Sequence, residues 1–314
     1  MRKILIVLLF VSLVMTACDG KGPKGSIENP WIGGTKGVIV SFEENAPQAE
    51  VFDGGNYPFG VVTKLKNEGE YEVQKEDVKV TISGILAQEF GRVESDLVKG
   101  PDDLLPAKRK DSEGRAEDSD PVFVDFGDFT FESSIVAQNT YTLRADVCYK
   151  YQTTANSLIC VLKDNLKDND AVCAVNEPKA VFNSGAPVQI SDFRESARGK
   201  NKIAFTFIVS HKGAGKIFKM DSGCNVTSRD FEDRVFVDVS TGIEGKLECT
   251  GLKESTMTNG SVSGFLTLFS SQKAVSCSQE VSTNSDYQKP ATIKATYDYS
   301  DNIVTEVLVK HQLN

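Results

Sequence analysis

The chain of 314 residues is predicted to belong to the all-β class, because apolar and polar residues alternate along many short segments. Val78–Ser83 and Ile203–Val209 are clear examples. These segments are rich in β-branched and aromatic residues and are bounded by Gly, Asn or Asp, which is typical of half-buried antiparallel strands. No long segment has the periodicity of an amphipathic helix.

The predicted strands follow from these runs in chain order. They are expected at Val38–Phe42, Phe59–Leu65, Val78–Ile82, Phe129–Phe131, Leu143–Tyr151, Leu158–Val161, Ile203–Val209 and Val235–Val239. Leu143–Tyr151 and Leu158–Val161 are predicted to form a hairpin, with Tyr149 and Ile159 on its buried face.

The two halves resemble each other in the same order, which predicts an internal duplication. Val61–Gly69 aligns with Phe205–Gly213, and Val78–Ser83 aligns with Val235–Ser240. A third match, at an offset of 150 residues, places Tyr149 on Tyr299. Each unit has about 130 residues of short strands, a size that suits a β-sandwich.

The domain boundaries follow from composition. Residues 1–17 are predicted to be a signal peptide and 18–36 a flexible Gly/Pro-containing tether. The first β-sandwich covers 37–163, the linker 164–185 and the second β-sandwich 186–314. A polar loop, 91–120, interrupts the first unit and is expected to be either disordered or a recognition loop. Leu104 and Leu105 are its candidate docking element.

The strand that ends in Asn67-Glu68-Gly69, followed by Val78–Ile82, resembles the CARDB type of immunoglobulin-like domain. That family is found in bacterial and archaeal surface proteins and is associated with adhesion. The resemblance covers about a quarter of each half and implies two tandem immunoglobulin-like β-sandwich domains. It implies no catalytic residues.

The N-terminus has the pattern of an export signal. Arg2 and Lys3 precede an apolar run, Ile4–Val14, that is too short to span a bilayer comfortably. Val14-Met15-Thr16-Ala17-Cys18 follows and resembles the lipobox of prokaryotic lipoproteins, although leucine is usual where Met15 stands. The resemblance implies that 1–17 are removed and that Cys18 carries membrane-anchoring acyl chains. An ordinary secretory signal and an uncleaved anchor are the alternatives.

Six further cysteines, an even number in an exported chain, predict three disulfides. They are Cys148, Cys160, Cys173, Cys224, Cys249 and Cys277. In the predicted hairpin, Cys148 and Cys160 lie opposite each other, which favours a bond between them. Cys249–Cys277 is the next expected pairing, and Cys173–Cys224 follows only by elimination.

Composition and motifs argue against several classes of function. The chain has 44 acidic and 35 basic residues, so its net charge is negative, and the basic residues are not clustered in a block. No nucleic-acid partner is therefore expected. Hydrolase, phosphate-loop and zinc motifs are missing from the sequence, so no catalytic residue, metal or cofactor is predicted. Calcium bound by carboxylates of the linker is an alternative, but their spacing is not that of an EF-hand.

Several single residues have two possible roles. His211 aligns with Asn67 in the repeat, which favours a turn role over catalysis. Tyr149, Tyr151, Tyr297 and Tyr299 recur with period two, which favours core positions over an aromatic binding platform. Two N-glycosylation sequons, Asn225-Val226-Thr227 and Asn259-Gly260-Ser261, matter only if the source organism glycosylates its surface.

These observations favour a non-enzymatic, extracytoplasmic lipoprotein that acts in adhesion or in protein–protein contacts of the cell envelope. Its expected partners are the lipid bilayer, through acyl chains on Cys18, and an unidentified protein or glycan. The alternative is a glycan-binding module, or an enzyme whose site is assembled from scattered residues. A glycan site would need exposed aromatic residues, and the single Trp31 lies in the predicted tether.

Overall fold

The computed structural model describes residues 28–167 and 172–312, and it confirms the all-β class. These residues form nineteen strands and five short 3₁₀ turns, without an α-helix. The predicted signal peptide, Cys18 and the first part of the tether lie outside the described residues. The strands are β1 (Val38–Phe42), β2 (Glu50–Phe52), β3 (Phe59–Asn67), β4 (Val78–Ser83), β5 (Val98–Lys99), β6 (Arg109–Lys110), β7 (Ala116–Glu117), β8 (Val122–Phe129), β9 (Asn139–Val161), β10 (Val181–Asn183), β11 (Val188–Gly199), β12 (Lys202–His211), β13 (Lys216–Phe218), β14 (Arg234–Ser240), β15 (Leu247–Thr250), β16 (Lys253–Thr258), β17 (Ser261–Thr267), β18 (Gln272–Glu280) and β19 (Tyr287–Lys310). The 3₁₀ turns are Lys75–Asp77, Ala87–Phe90, Glu94–Leu97, Arg229–Phe231 and Phe269–Ser271.

Most strands belong to one large sheet of ten strands, with β16-β17-β14-β19-β9-β4-β5 as its main path. A three-stranded sheet (β1-β3-β8), a four-stranded sheet (β11-β12-β18-β15) and a two-stranded sheet (β6-β7) contain the other strands. The hydroxyl of Tyr149 contacts Val38 of the three-stranded sheet, and that of Tyr297 contacts Val188 of the four-stranded sheet. Both small sheets therefore pack on the same face of the large sheet. The opposite face, covered by neither, is called the outer face below.

Strands β9 and β19 form the centre of the large sheet and pair antiparallel along their whole length, from Tyr287↔Val161 to Val309↔Asn139. The predicted hairpin between 143–151 and 158–161 is therefore wrong. The intervening residues Gln152–Ser157 include no glycine or proline, and the buried–exposed alternation continues through them without interruption. A continuous strand results because every other side chain finds a place in the core.

The two halves repeat the same strand order, in line with the predicted duplication. β1, β3 and β8 correspond to β11, β12 and β18, while β4 and β9 correspond to β14 and β19. Val38 pairs with Asn67, and in the second half Val188 pairs with His211.

The register corrects one offset of the predicted repeat. Val80 pairs with Val147, and its counterpart Val237 pairs with Ala295, which lies 148 residues after Val147. The structural equivalent of Tyr149 is therefore Tyr297 and not Tyr299. The error of two residues kept every side chain on the correct face, because a strand repeats every two residues.

The two halves share one sheet and one apolar core that contains residues of both. At the predicted linker, Val181–Asn183 forms β10 and pairs with Ser157–Ala155 of β9. Beside it the small sheets meet closely: a Cβ atom added to Gly37 would lie 3.2 Å from Pro187 Cγ. The all-β class thus takes the form of one continuous large sheet under two smaller ones.

The predicted polar loop, 91–120, is folded against the body. Leu105 of its candidate docking element is fully buried and bridges to Val73, so it is not available to a partner. Arg92 donates to the carbonyls of Phe126 and Asp128, and Lys99 Nζ donates to that of Asp125. These carbonyls belong to β8, an edge strand, and cations on an edge oppose pairing with another chain.

All six predicted cysteines form disulfides, but only the Cys249–Cys277 pairing agrees with the prediction. Cys148 bonds to Cys224, and Cys160 bonds to Cys173, so the predicted Cys148–Cys160 and Cys173–Cys224 pairs are wrong. Because β9 does not turn back, Cys148 and Cys160 lie about 40 Å apart along one strand. Three disulfides indicate an oxidising environment outside the cytosol.

We predict that the two halves unfold together. The full chain should give one calorimetric transition, with calorimetric and van't Hoff enthalpies in a ratio of about 1. Residues 28–167 and 172–312 produced separately should show no cooperative transition, because each would expose one unpaired edge of β9 or β19 and lose disulfide partners. Two resolved transitions in the full chain would contradict the shared core.

Candidate functional site

Four buried tyrosines lie at the centre of the molecule, on the covered face of β9 and β19. Tyr149 pairs directly with Tyr299, and Tyr151 pairs with Tyr297. Tyr149 accepts from Val38 N at 3.0 Å, and Tyr297 accepts from Val188 N at 3.2 Å. Burial raises the pKa of all four phenols, that of Tyr299 to about 12. These side chains are core residues, as predicted, and not a binding platform.

The other two tyrosines bind the last residues of β3 and β12. Tyr151 Oη donates to Asn67 Oδ1 at 2.9 Å. In the second half, Tyr299 Oη lies 3.1 Å from His211 Nε2 and accepts from Gly215 N at 2.7 Å. Burial lowers the pKa of His211. The predicted equivalence of His211 with Asn67 thus holds in the fold, where both side chains hold the ends of their strands to the centre.

A groove of about 330 Å³ lies on the outer face, behind the tyrosines. Lys150 and Asp298 face each other there, because β9 and β19 place them in one directly paired position. Lys150 Nζ contacts Asp221 at 2.6 Å and Asp77 at 3.3 Å, so it connects the two halves. Its hydrogen bond to Asp221 raises the pKa of Lys150. Burial raises the pKa of Asp298, although Asp221 N and Gly223 N donate to its carboxylate.

Beyond this groove, the next row of the outer face contains Phe236 and Phe265, and the rows after it are rich in hydroxyl groups. Ile293 and Val239 point into the core, so their neighbours along the strands point outward. One row of directly paired residues crosses five strands and contains Thr258, Ser261, Ser240, Thr292 and Asn156. The next row contains Thr256, Ser263, Asp238, Lys294 and Thr154. All ten side chains are partly or fully exposed, over a width of about 20 Å.

Trp31 lies against this surface. Its indole Nε1 donates to Asn156 Oδ1 at 3.0 Å. The backbone of the same segment is fixed nearby, because the carboxylate of Glu70 accepts from Ile32 N and Gly33 N, both at 2.8 Å. The described part of the predicted tether is therefore held to the body, and its tryptophan adds an aromatic ring beside the polar rows.

A buried carboxylate lies in the second half. The side chain of Glu195, on β11, is fully buried. Its two oxygens accept from Cys160 N at 3.2 and 3.0 Å, and Lys179 Nζ is 3.4 Å away. Burial raises the pKa of Glu195 from its ordinary value of 4.5 to about 8. The carboxylate thus secures the segment beside the Cys160–Cys173 disulfide.

Sequence reasoning identified the tyrosines and cysteines but missed the outer face. The sequence shows Ser, Thr and Asn at alternate positions of separate strands, and only the register places them in common rows. It also missed Lys150 and Glu195, which have no recognisable motif. Within 28–167 and 172–312, no three His, Cys, Asp or Glu side chains are grouped so that they could hold a metal ion. Two acidic residues of the proposed calcium linker, Asp168 and Asp170, lie outside the described residues.

Comparisons with known proteins place this chain in no family. No protein-family model matches it, and no curated protein matches it significantly. In the part of the chain that the structure describes, no helix is long and apolar enough to cross a membrane.

We predict that Glu195 makes stability depend on pH. Between pH 4.5 and about 8 the folded chain retains a proton at Glu195 that the unfolded chain releases, so its contribution to stability falls as pH rises through this window. The loss is at most about 1.4 kcal/mol per pH unit. Urea unfolding followed by circular dichroism should therefore show a smaller decrease from pH 5.5 to pH 8.5 for Glu195→Gln than for the native chain.

The matched control is Glu177→Gln, which removes the more exposed carboxylate partner of Lys179. It should keep most of the native pH dependence, because burial is the main cause of the raised pKa of Glu195 and the charge of Glu177 is the least of its causes. An unchanged dependence in Glu195→Gln would show that the buried carboxylate does not titrate in this range.

Proposed function

We propose that the protein is a non-enzymatic lipoprotein of the cell envelope, anchored through Cys18, which binds another macromolecule with the outer face of its large sheet. The lipobox-like Val14–Cys18 and the disulfides support an extracytoplasmic place. The resemblance to CARDB-type domains, with their link to adhesion, agrees with this role. The single observation that carries the proposal is the pair of polar rows on the outer face, which strands of both halves build and neither small sheet covers.

The outer face has properties suited to contact with a partner. Its rows include β9 and β19, the two strands that are paired most extensively, so these side chains are held on a firmly paired backbone. Its rows combine hydroxyls and amides with Lys294 and Asp238, so a partner can be recognised through hydrogen bonds at little cost in side-chain entropy. The folded polar loop, in contrast, uses Arg92 and Lys99 within the body.

A second candidate function is glycan binding. It is favoured by Trp31, because an aromatic ring beside hydroxyl and amide groups is suited to the faces and hydroxyls of a sugar. Both candidate functions use the outer face, and they differ only in whether the partner is a protein or a glycan. One set of variants therefore tests both.

We expect Cys18→Ser to release the protein from the membrane. Without a thiol at position 18 no diacylglyceryl group can be attached, and two acyl chains are what makes anchoring stable. Membrane fractionation should move the protein to the soluble fraction, and mass spectrometry should show the loss of the lipid from the N-terminal peptide. Unchanged membrane retention and an unchanged N-terminal mass would contradict lipidation at Cys18.

We expect Ser263→Arg to abolish partner binding, because it adds a large charged side chain to the second polar row of the outer face, on β17. Formaldehyde crosslinking on intact cells should lose the partner species. The matched control is Thr206→Arg, an exposed hydroxyl-to-arginine change on β12 of the four-stranded sheet, which should keep it. Equal crosslinking by both variants would exclude the outer face. Binding of the native chain to isolated cell-surface polysaccharide, lost in Trp31→Ala, would favour the glycan-binding alternative.

A further inference from the structure

The two sequons of the chain lie in different structural settings. Asn225-Val226-Thr227 belongs to the loop between β13 and the 3₁₀ turn at Arg229–Phe231, outside any strand. Asn259-Gly260-Ser261 covers the tight turn between β16 and β17 and the first residue of β17. An oligosaccharyltransferase has to bind both the asparagine amide and the hydroxyl two residues later, so accessibility of the whole tripeptide decides whether a sequon can be used.

The Asn225 sequon is fully accessible. Asn225, Val226 and Thr227 are all exposed, and 69% of the surface of Val226 is accessible to solvent. Cys224 bonds to Cys148 of β9, so the preceding residue fixes the loop on the outer face without drawing the sequon into a strand. Three consecutive exposed residues, one of them apolar, leave the backbone of this tripeptide open to an enzyme.

The sequon is also folded so that its two reactive groups are together. Thr227 N and Thr227 Oγ1 donate to Asn225 Oδ1 at 2.8 and 2.7 Å. Two donors on the amide oxygen draw charge toward it and make the Nδ2 hydrogens more acidic, which favours removal of a proton from the attacking nitrogen. Among the described residues, Asn225 Nδ2 makes no hydrogen bond that an enzyme would have to break.

The Asn259 sequon is locked by the sheet. Ser261 is paired with Thr258 on one side and with Ser240 on the other. Gly260 is buried with φ +74°, and its carbonyl accepts from Thr241 N at 3.0 Å. Asn259 Oδ1 accepts from Gly245 N at 3.0 Å. Asn259 itself is exposed, but an enzyme that binds the whole tripeptide would have to draw Ser261 out of its pairing with Ser240 and Thr258.

We propose that Asn225 is an N-glycosylation site of the folded protein and that Asn259 is not. The glycosyl donor would be an oligosaccharide linked to a polyprenyl phosphate or pyrophosphate. Asn225 Nδ2 attacks C1 of the first sugar, so that a C–N bond forms and the C1–O bond to the phosphate breaks. The phosphate leaves with the bonding electron pair, and the amide proton passes to a base of the transferase. The proposal rests on the export that is part of the proposed function, but not on lipidation or on the partner.

A glycan on Asn225 would lie beside the groove of the outer face. The neighbouring Asp221 and Gly223 line the groove at Lys150. A glycan on Asn225 would therefore shield the region around this groove, whereas the hydroxyl-rich rows lie on the strands farther along β14, β17 and β19.

The test is glycan transfer to the full chain, folded with intact disulfides and kept in detergent. The probe is a purified oligosaccharyltransferase that requires only Asn-X-Ser/Thr, together with a polyprenyl-pyrophosphate-linked oligosaccharide. Intact mass and glycopeptide mapping should show one glycan on Asn225. The glycan should be lost in Asn225→Gln and Thr227→Ala and retained in Thr227→Ser, which keeps the hydroxyl. The matched control Asn259→Gln should leave the modification unchanged.

The same reaction on the reduced, unfolded chain should add a second glycan at Asn259, with an initial rate at least ten times that of the folded chain at this site. Absence of a glycan on Asn225 of the folded chain would overturn the proposal, and so would modification of folded Asn259 at the rate of Asn225 or faster. Because the assay contains neither a membrane nor a partner, its outcome is independent of the lipoprotein and outer-face proposals.

Discussion

The continuous pairing of β9 with β19 is the constraint on which the rest of the structure depends. Each of these strands runs beneath both small sheets, so the buried residues of one half pack on strands that belong to the other. Neither half can satisfy the backbone groups of its long strand alone, and an unpaired buried N–H or C=O is costly. The shared sheet and core therefore join the two halves in one structural unit, although the strand order repeats.

The two halves are alike on the covered face of β9 and β19 and differ on the outer face. On the covered face the halves are alike: tyrosine hydroxyls meet the first and last residues of the equivalent strands β1, β3, β11 and β12. On the outer face equivalent positions differ, because Lys150 corresponds to Asp298 under the shift of 148 residues and Cys148 corresponds to Thr296. The halves are therefore similar where the fold requires it and differ on the outer face.

The loops protect edges of this repeated frame and fix its end. Arg92 and Lys99 occupy carbonyls of the edge strand β8. At the C-terminus, Asp53 accepts from His311 Nδ1 at 2.8 Å and Gln312 N at 2.9 Å, which fixes the end of β19 beside the first half. The hydrogen bond from His311 keeps the pKa of Asp53 far below its usual range. Side-chain hydrogen bonds of Asp53 thus connect the two halves in addition to the pairing of the strands.

The sequence by itself determined the all-β class, most strand positions, the face on which each tyrosine lies, the equivalence of Asn67 with His211, and the cysteines that form disulfides. These follow from periodicity and composition, which act over a few residues. It did not determine that Gln152–Ser157 continues a strand, and this single error led to the false Cys148–Cys160 pairing. Only the tertiary structure decided the shared sheet, the cross-strand rows of the outer face and the burial of Glu195, because each depends on which distant strands become neighbours and in which register.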